Sequence, residues 1–445
     1  MSFRNRLRRL RREGVPEGAL PGVASFDEAT GVAPATAKLP RPDLVDERAT
    51  CGLPGALSSF DGPLGSGLAR VTRFEVDHLH GHFQLLEVQQ ACPQDFALLT
   101  GDASLAQLDL DGVVYLDTET TGLSGGTGTY VYMVGLGRFV AGGECNSGTD
   151  GSGRRHFEVW QGFLSGPEGE AILLAESARR IRESSGLVSF FGKSFDRHRL
   201  QDKMQLCGVE APFDGLAHLD LYHPCKRLYG GAYEDGRLKT MESELCGLVR
   251  EDDLPGSLAP AAWFDFLAGR PHLLEGVFRH NLDDVLSLVT LAAHLGRTRQ
   301  EERASGAVLS GHAATRAAGI ARSLALAKQR AAALQWLNLA LERGAEPASK
   351  LQRDRADLLR LQGDSEAAID AYSELLRQPE DAHSVPCLLE LAKLHEHARR
   401  DAASALGFCK TAQALLDRNH SGPEYARLAR DLNKRMSRLL ARQKT

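Results

Sequence analysis

The chain has 445 residues, enough for two or three domains whose cores need no staples. No apolar run approaches the ~20 residues that span a bilayer, and the opening "MSFRNRLRRLRREG" lacks the apolar stretch of a secretory leader. A net charge of −5 excludes a polycation that coats nucleic acid, and eight scattered cysteines with no CxxC pair read as reduced thiols of a cytoplasmic protein.

At the N-terminus, Arg4, Arg6, Arg8, Arg9, Arg11 and Arg12 form a basic patch with Phe3, Leu7 and Leu10 at helical spacing beside it. Such a patch can meet phosphates or a membrane, but a solvated terminal helix is the plainer expectation. Residues 14 to about 70 are rich in Gly, Pro and Ala, and "LPRPD" and "CGLPGALSSFDGPLGSG" read as loop. Residues 1–74 are therefore expected to be a basic helix and a flexible segment. Order resumes at "VTRFEVDHLHGHFQLLEV", where His78, His80 and His82 would share one face of a strand. With no acid or cysteine at ligand spacing, an exposed strand is expected there rather than a zinc site.

"VVYLDTETTG" (113–122) carries a buried strand into two acids. Alternation puts Asp117 and Glu119 on the same side, and like charges so placed need solvent or a cation. "TYVYMVGLGRFV" and "RHFEVWQGFL" are two further strands, and the Gly-rich "AGGECNSGTDGSG" between them suggests antiparallel pairing. A helix follows, with Ile172, Leu173, Ala175, Ala178 and Ile181 at helical spacing. Then come a strand in "GLVSFFG", a helix from Ser194 through Cys207 and a strand in "LAHLDLYH". Helices are expected around "LKTMESELCG" and "AAWFDFLAG", and from about Leu273 to Leu295. The predicted fold class over 75–300 is α/β: three antiparallel strands, then alternating helix and strand in one mixed sheet.

Beyond about residue 310 the text turns to Ala, Leu and Arg with no strand signal. Aligning Trp336, Tyr372 and Cys409 in three similar segments gives spacings of 36 and 37, near the ~34 of a tetratricopeptide helix pair. Residues 310–440 are therefore expected to be an all-α helical-repeat domain, with an unrelated helical bundle as the alternative. Because repeats contact mainly their neighbours, removing them should leave the sheet domain folded.

Two more acids extend the opening pair. "FFGKSFDRHRL" places Asp196 where a strand gives way to a helix, and "FRHNLDDVLSLVTLA" places Asp283 and Asp284 on the last helix of the sheet domain. His280 lies one helical turn before Asp284 on the same face. Each acid alone is ordinary, since Asp near a helix start usually caps it. Together the order DTET, SFD and a final helical Asp resembles the DEDD exonucleases of the ribonuclease H-like superfamily, and within them the YprB-like group. The similarity also covers "GLSGGTGTYVYMVGLGRF" and "RLKTMESELCGLVREDDLPGS", spanning roughly residues 75 to 296. Such proteins often end in tetratricopeptide repeats.

The resemblance implies a metal-dependent nuclease of the 3′–5′ exonuclease type acting on DNA or RNA, with single-stranded ends as substrate. It assigns the metal-binding acids to Asp117, Glu119, Asp196 and Asp284. Two ions, Mg²⁺ or Mn²⁺, would bind there, with Asp117 bridging both. In the family, either a Tyr four residues before the last Asp or a His five before it orients the water. Here His280 stands at the tyrosine spacing, so His280, Asn281 or a free water could serve.

Other features weigh less. "SGGTGT" lacks the ending of a P-loop, although its glycines permit close approach of a terminal nucleotide. Asp220 ends a strand and could line the site. Lys239 and Arg250 could touch phosphates or be solvated surface, and Asp252 and Asp253 read as turn formers. Two rivals remain: a non-catalytic nucleic-acid-binding scaffold acting through its repeats, which also offer a groove for a protein partner, and a structure-selective endonuclease on the same fold. No membrane partner is expected.

Overall fold

The computed structural model describes residues 57–122, 128–141, 155–251, 253–304, 312–379, 383–418 and 423–442. The basic N-terminal patch, Asp252, most of "SGGTGT" and the Gly-rich segment before the third expected strand lie outside them. Nine strands occur among these residues: β1 (Leu57–Gly62), β2 (Gly65–Glu75), β3 (Leu79–His80), β4 (Phe83–Gln84), β5 (Val114–Thr120), β6 (Val131–Val140), β7 (His156–Phe163), β8 (Leu187–Ser189) and β9 (His218–Asp220). Seven of them form one sheet in the order β1-β2-β7-β6-β5-β8-β9. From β1 to β5 every pairing is antiparallel, while β5, β8 and β9 run parallel. The expected mixed sheet is present.

Two expectations fail at its near end. Residues 57–74, which their composition marks as a flexible segment, form a hairpin on the edge of the sheet. Phe60 reaches inward to Trp160, with ring centroids 5.6 Å apart. A Cβ on Gly67 would come within 2.4 Å of the Phe60 ring, so the glycine that looked like loop text makes room for packing. His78, His80 and His82 do not share an exposed strand. His80 is buried, with Nε2 2.9 Å from Ser287 Oγ, and burial and the nearby Arg250 lower its pKa to about 4.

Central strands β6 and β7 are buried on both faces, which is why they read as near-continuous apolar runs. Helix α1 (Pro93–Thr100) precedes β5, and α2 (Glu170–Arg182) follows β7. Then come α3 (Asp196–Leu206), α4 (Tyr222–Tyr229), α5 (Leu238–Cys246), α6 (Ala259–Leu267) and the long α7 (Leu274–Ala304). One core joins Leu173, Leu174 and Ile181 of α2 to Val114, Leu116 and Trp160. A second core joins Val285, Leu288 and Val289 of α7 to Tyr115 and Phe157. The first turn of α7, with Leu274, Val277 and Phe278, belongs to the first core. The polar residues His280, Asn281 and Asp284 lie in the stretch where α7 passes from one core to the other.

The all-α region comprises α8 (Ala313–Leu326), α9 (Arg330–Glu342), α10 (Ala348–Gln362), α11 (Ser365–Leu375), α12 (Ser384–His397), α13 (Ala402–Arg418) and α14 (Pro423–Arg442). Each packs on the next, and Trp336, Tyr372 and Cys409 are buried in the second helix of successive pairs. The region does not stand apart from the sheet domain, contrary to expectation. α8 lies against α4 so closely that a Cβ on Gly319 would come within 2.3 Å of the Arg227 carbonyl oxygen. One hydrophobic core runs from Leu85 through Val285 to Trp336 and Leu358. No described helix is long and apolar enough to cross a membrane.

Candidate active site

The site is built on the second half of β5. Asp117 pairs across the ladder with Gly135 of β6. A Cβ on Gly135 would sit 2.4 Å from Asn281 Oδ1, so the glycine lets α7 approach the strand. Asn281, fully buried, then donates from Nδ2 to Asp117 Oδ2 at 2.8 Å. Its own Oδ1 accepts from Gln161 Nε2 at 2.9 Å, and Gln161 also donates to the Phe278 carbonyl at 2.7 Å. The amide of Asn281 is thereby committed to holding Asp117.

Asp196 opens α3, where the helix N-terminus favours an anion, and its Oδ1 accepts from the Thr118 hydroxyl. Asp284 comes from α7. The four acids sense one another. Burial first, then Asp284, Asp196 and Glu119, holds the Asp117 carboxyl well above the usual carboxylate range. Burial pushes Glu119 up to about 8, with Asp284 and Asp196 adding to the rise and His280 opposing it. Asp196 is pushed up to about 6 by burial, with Asp220 and Asp284 adding, against the hydrogen bond from Thr118. The four acids expected from the sequence thus lie near enough for Asp117, Glu119 and Asp196 each to be raised in part by the others or by Asp284.

His280 joins them. Its Nδ1 lies 2.7 Å from Asp253 Oδ1 and its Nε2 3.7 Å from Asp284 Oδ2. Burial alone would lower its pKa, but Asp284, the hydrogen bond to Asp253 and Glu119 raise it above the ordinary 6.5. Asp253 is thus an orienting partner rather than a plain turn former, and its other oxygen takes Lys239 Nζ at 2.9 Å.

Arg250 is neither solvated nor free for phosphate. Its side chain is 3% exposed and grips Glu242 with Nε and Nη2, both at 2.7 Å. The same Nη2 bonds Asp284 Oδ1. Glu242, itself fully buried, also accepts from Ser287 Oγ at 2.6 Å.

Among the described residues, no three His, Cys, Asp or Glu side chains already converge on one ion position. The donor set nevertheless suits a hard divalent cation, because it consists of carboxylates, and burial together with the neighbouring acids raises Asp117, Glu119 and Asp196. Part of that negative potential is met by Arg250 and His280, which both reach Asp284. Sequence reasoning missed Glu242, Gln161, Thr118 and Gly135 as parts of this site, weighed Arg250 only as a phosphate contact or solvated surface, and read Asp253 as a turn former. Only Gly135 left a signal, as a glycine inside a strand otherwise rich in apolar residues.

Residues 114–296 match the model of the RNase_H superfamily, and that span holds every element that brings the acids together. With the sheet order above, the fold class is a ribonuclease H-like mixed sheet followed by an all-α region. At the level of a single relative, the chain is 27% identical over 369 residues to "Uncharacterized protein YprB" of Bacillus subtilis (strain 168). That similarity covers 82% of this chain and 85% of the relative, so it extends past the sheet domain into the helices.

Proposed function

We propose that the protein is a metal-dependent nuclease of the DEDD type, working as a 3′–5′ exonuclease on single-stranded ends of DNA or RNA in the cytoplasm. One observation carries this reading. Three separate elements, β5, the start of α3 and α7, spend half-buried positions (Asp117, Glu119, Asp284) and one buried position (Asp196) on carboxylates that repel one another. Such a cluster costs stability unless cations neutralise it.

In this reading Asp117, Glu119, Asp196 and Asp284 hold two ions, Mg²⁺ or Mn²⁺. Ions so held would activate water and would offset charge on the attacking and leaving oxygens of a phosphodiester. The chain's own residues supply position. Asn281 and Gln161 fix the rotamer of Asp117, and Thr118 fixes Asp196. His280, steadied by Asp253, is placed to take a proton at Nε2 beside Asp284. The helix pairs beyond residue 312 are read as tetratricopeptide-like repeats that engage a protein partner.

The test is degradation of single-stranded DNA and RNA labelled at either end, with Mg²⁺, Mn²⁺ or a chelator. Stepwise shortening from the 3′ end that a chelator abolishes is the expected result. Cleavage of circular single strands would point to an endonuclease instead, and no cleavage under any of these conditions would remove the reading.

A further inference from the structure

Beside the acids, the turn after β8 carries a feature that the chemistry above does not use. Phe191 has a φ of 61°, a left-handed conformation that costs a bulky residue roughly 1–2 kcal/mol. Burial does not repay the strain, because Phe191 is 49% exposed. We propose that Phe191 and Tyr222 form a stacking platform for one unpaired nucleobase of a single-stranded nucleic acid whose backbone enters the acid cluster. The proposal rests on the nuclease reading and names how its substrate is gripped.

Four observations support it. First, the platform is deliberately held. Asp220, only 1% exposed, accepts from the Phe191 amide at 2.7 Å and the Tyr222 amide at 3.1 Å through Oδ1, and from the Lys193 amide at 3.1 Å through Oδ2. One buried carboxylate therefore ties the turn after β8 to the start of α4 after β9.

Second, the turn is indexed to the site. A Cβ on the next residue, Gly192, would come within 2.3 Å of Ser189 Oγ and 3.1 Å of Asp196 Oδ2. Third, the rings brace each other: Phe191 and Tyr222 lie 5.0 Å apart at 79°, and Phe190 supports Tyr222 at 5.9 Å and 87°. Edge-to-face packing of this kind fixes the rings while an exposed face of Phe191 stays available. Lys226 Nζ stands 5.5 Å from the Tyr222 ring centroid and adds a cation for the backbone.

Fourth, the distance suits a polynucleotide. β5, β8 and β9 are parallel neighbours, so their C-terminal ends share one edge of the sheet. At ~4.8 Å per strand, the ends of β8 and β9 stand about 5–10 Å to the side of β5, a lateral offset of one or two nucleotides along a chain. Every base has a π face, so such a platform accepts any sequence.

The experiment uses the full chain carrying Asp117→Asn, to prevent cleavage, and a fluorescent single-stranded oligonucleotide in Mg²⁺. Phe191→Asn deletes the ring while keeping a residue that tolerates the left-handed backbone. It should weaken binding roughly 10- to 100-fold with the thermal midpoint unchanged or higher. An abasic site at one position near the 3′ end should cost the parent a similar factor and the Phe191→Asn variant almost nothing. Phe191→Trp should bind like the parent.

If the parent binds and Phe191→Asn binds equally well, or if no abasic position matters, the platform is wrong while the nuclease reading stands. An Asp117→Asn chain that binds no oligonucleotide, together with an unsubstituted chain that cleaves none, overturns both.

Discussion

His280 Nδ1 lies 2.7 Å from Asp253 Oδ1, which leaves Nε2 facing Asp284. A group that accepts a proton must be neutral, so activity should rise with pH through the His280 transition. Asp253 helps to raise that pKa above 6.5. Asp253→Asn should therefore move the acidic limb of the rate profile to lower pH and reduce kcat, because the ring loses its anchor. His280→Ala should lose roughly 10²–10⁴ in rate. Parent-like profiles from both variants would assign proton acceptance to a free water.

The Asp117 carboxyl is buried among Asp284, Asp196 and Glu119. Asp117→Asn should abolish hydrolysis in Mg²⁺ and in Mn²⁺. In chelator it should raise the thermal midpoint by roughly 1 °C, the shift that ~1 kcal/mol produces in a chain of this size. Its carboxamide oxygen can still accept from Asn281. Mn²⁺ should stabilise the parent and barely affect the variant. Near-normal turnover in Mn²⁺ would place the metal site elsewhere.

Arg250 spans Glu242 and Asp284, and both Arg250 and Glu242 are withdrawn from solvent. Arg250→Met should destabilise the protein by about 3–5 kcal/mol, because it strands the Glu242 charge in the interior. Adding Glu242→Gln should recover at least half of that loss in denaturant unfolding. Two variants whose costs simply add would show that the pair is not the source of the effect.

Two buried imidazoles set an acid limit on the fold. Burial lowers His218 to about 3 and His294 to about 3, where Ser189 Oγ and Tyr229 Oη lie 2.7 Å from their Nε2 atoms. Both are neutral in the folded chain and gain protons on unfolding near an unfolded value of 6.5. Their contribution is complete above pH 6.5 and is lost as pH falls from there toward 3. The loss is on the order of a few kcal/mol each. His294→Gln should flatten this decline in urea midpoints between pH 6.5 and 5.

The acids were legible because their types and positions are local facts: a strand end, a helix start and a helix face. Arg250 and Asp253 were not, because their partners depend on how the segment between α5 and α6 lies against α7. A charged residue in a loop reads the same whether it faces solvent or Glu242. The β1–β2 hairpin hid for a related reason. Its residues are half exposed along an edge, and its glycines make room for Phe60 rather than marking a linker. The helices beyond 312 showed their spacing, but Gly319 gave no sign that α8 would press on α4.

That contact reverses the expectation for truncation. Ending the chain at residue 309 would strip Ile320, Leu324, Trp336 and Leu337 from a core they share with Leu228 and Leu295. Burial of such side chains is worth ~1.5–3 kcal/mol each, so the shortened protein should aggregate or unfold. Ending it at residue 379 keeps α8 to α11, removes the core of Leu388, Leu406, Leu416 and Leu439, and uncovers Ile369, Tyr372 and Leu375, which pack with Leu391 and Leu394. That form should stay soluble, with nuclease activity on free oligonucleotides within a few-fold of the full chain. Circular dichroism and gel filtration of the two truncations decide the matter. A well-folded, monomeric 1–309 fragment would show that α8 and α9 rest on the sheet domain without supporting it.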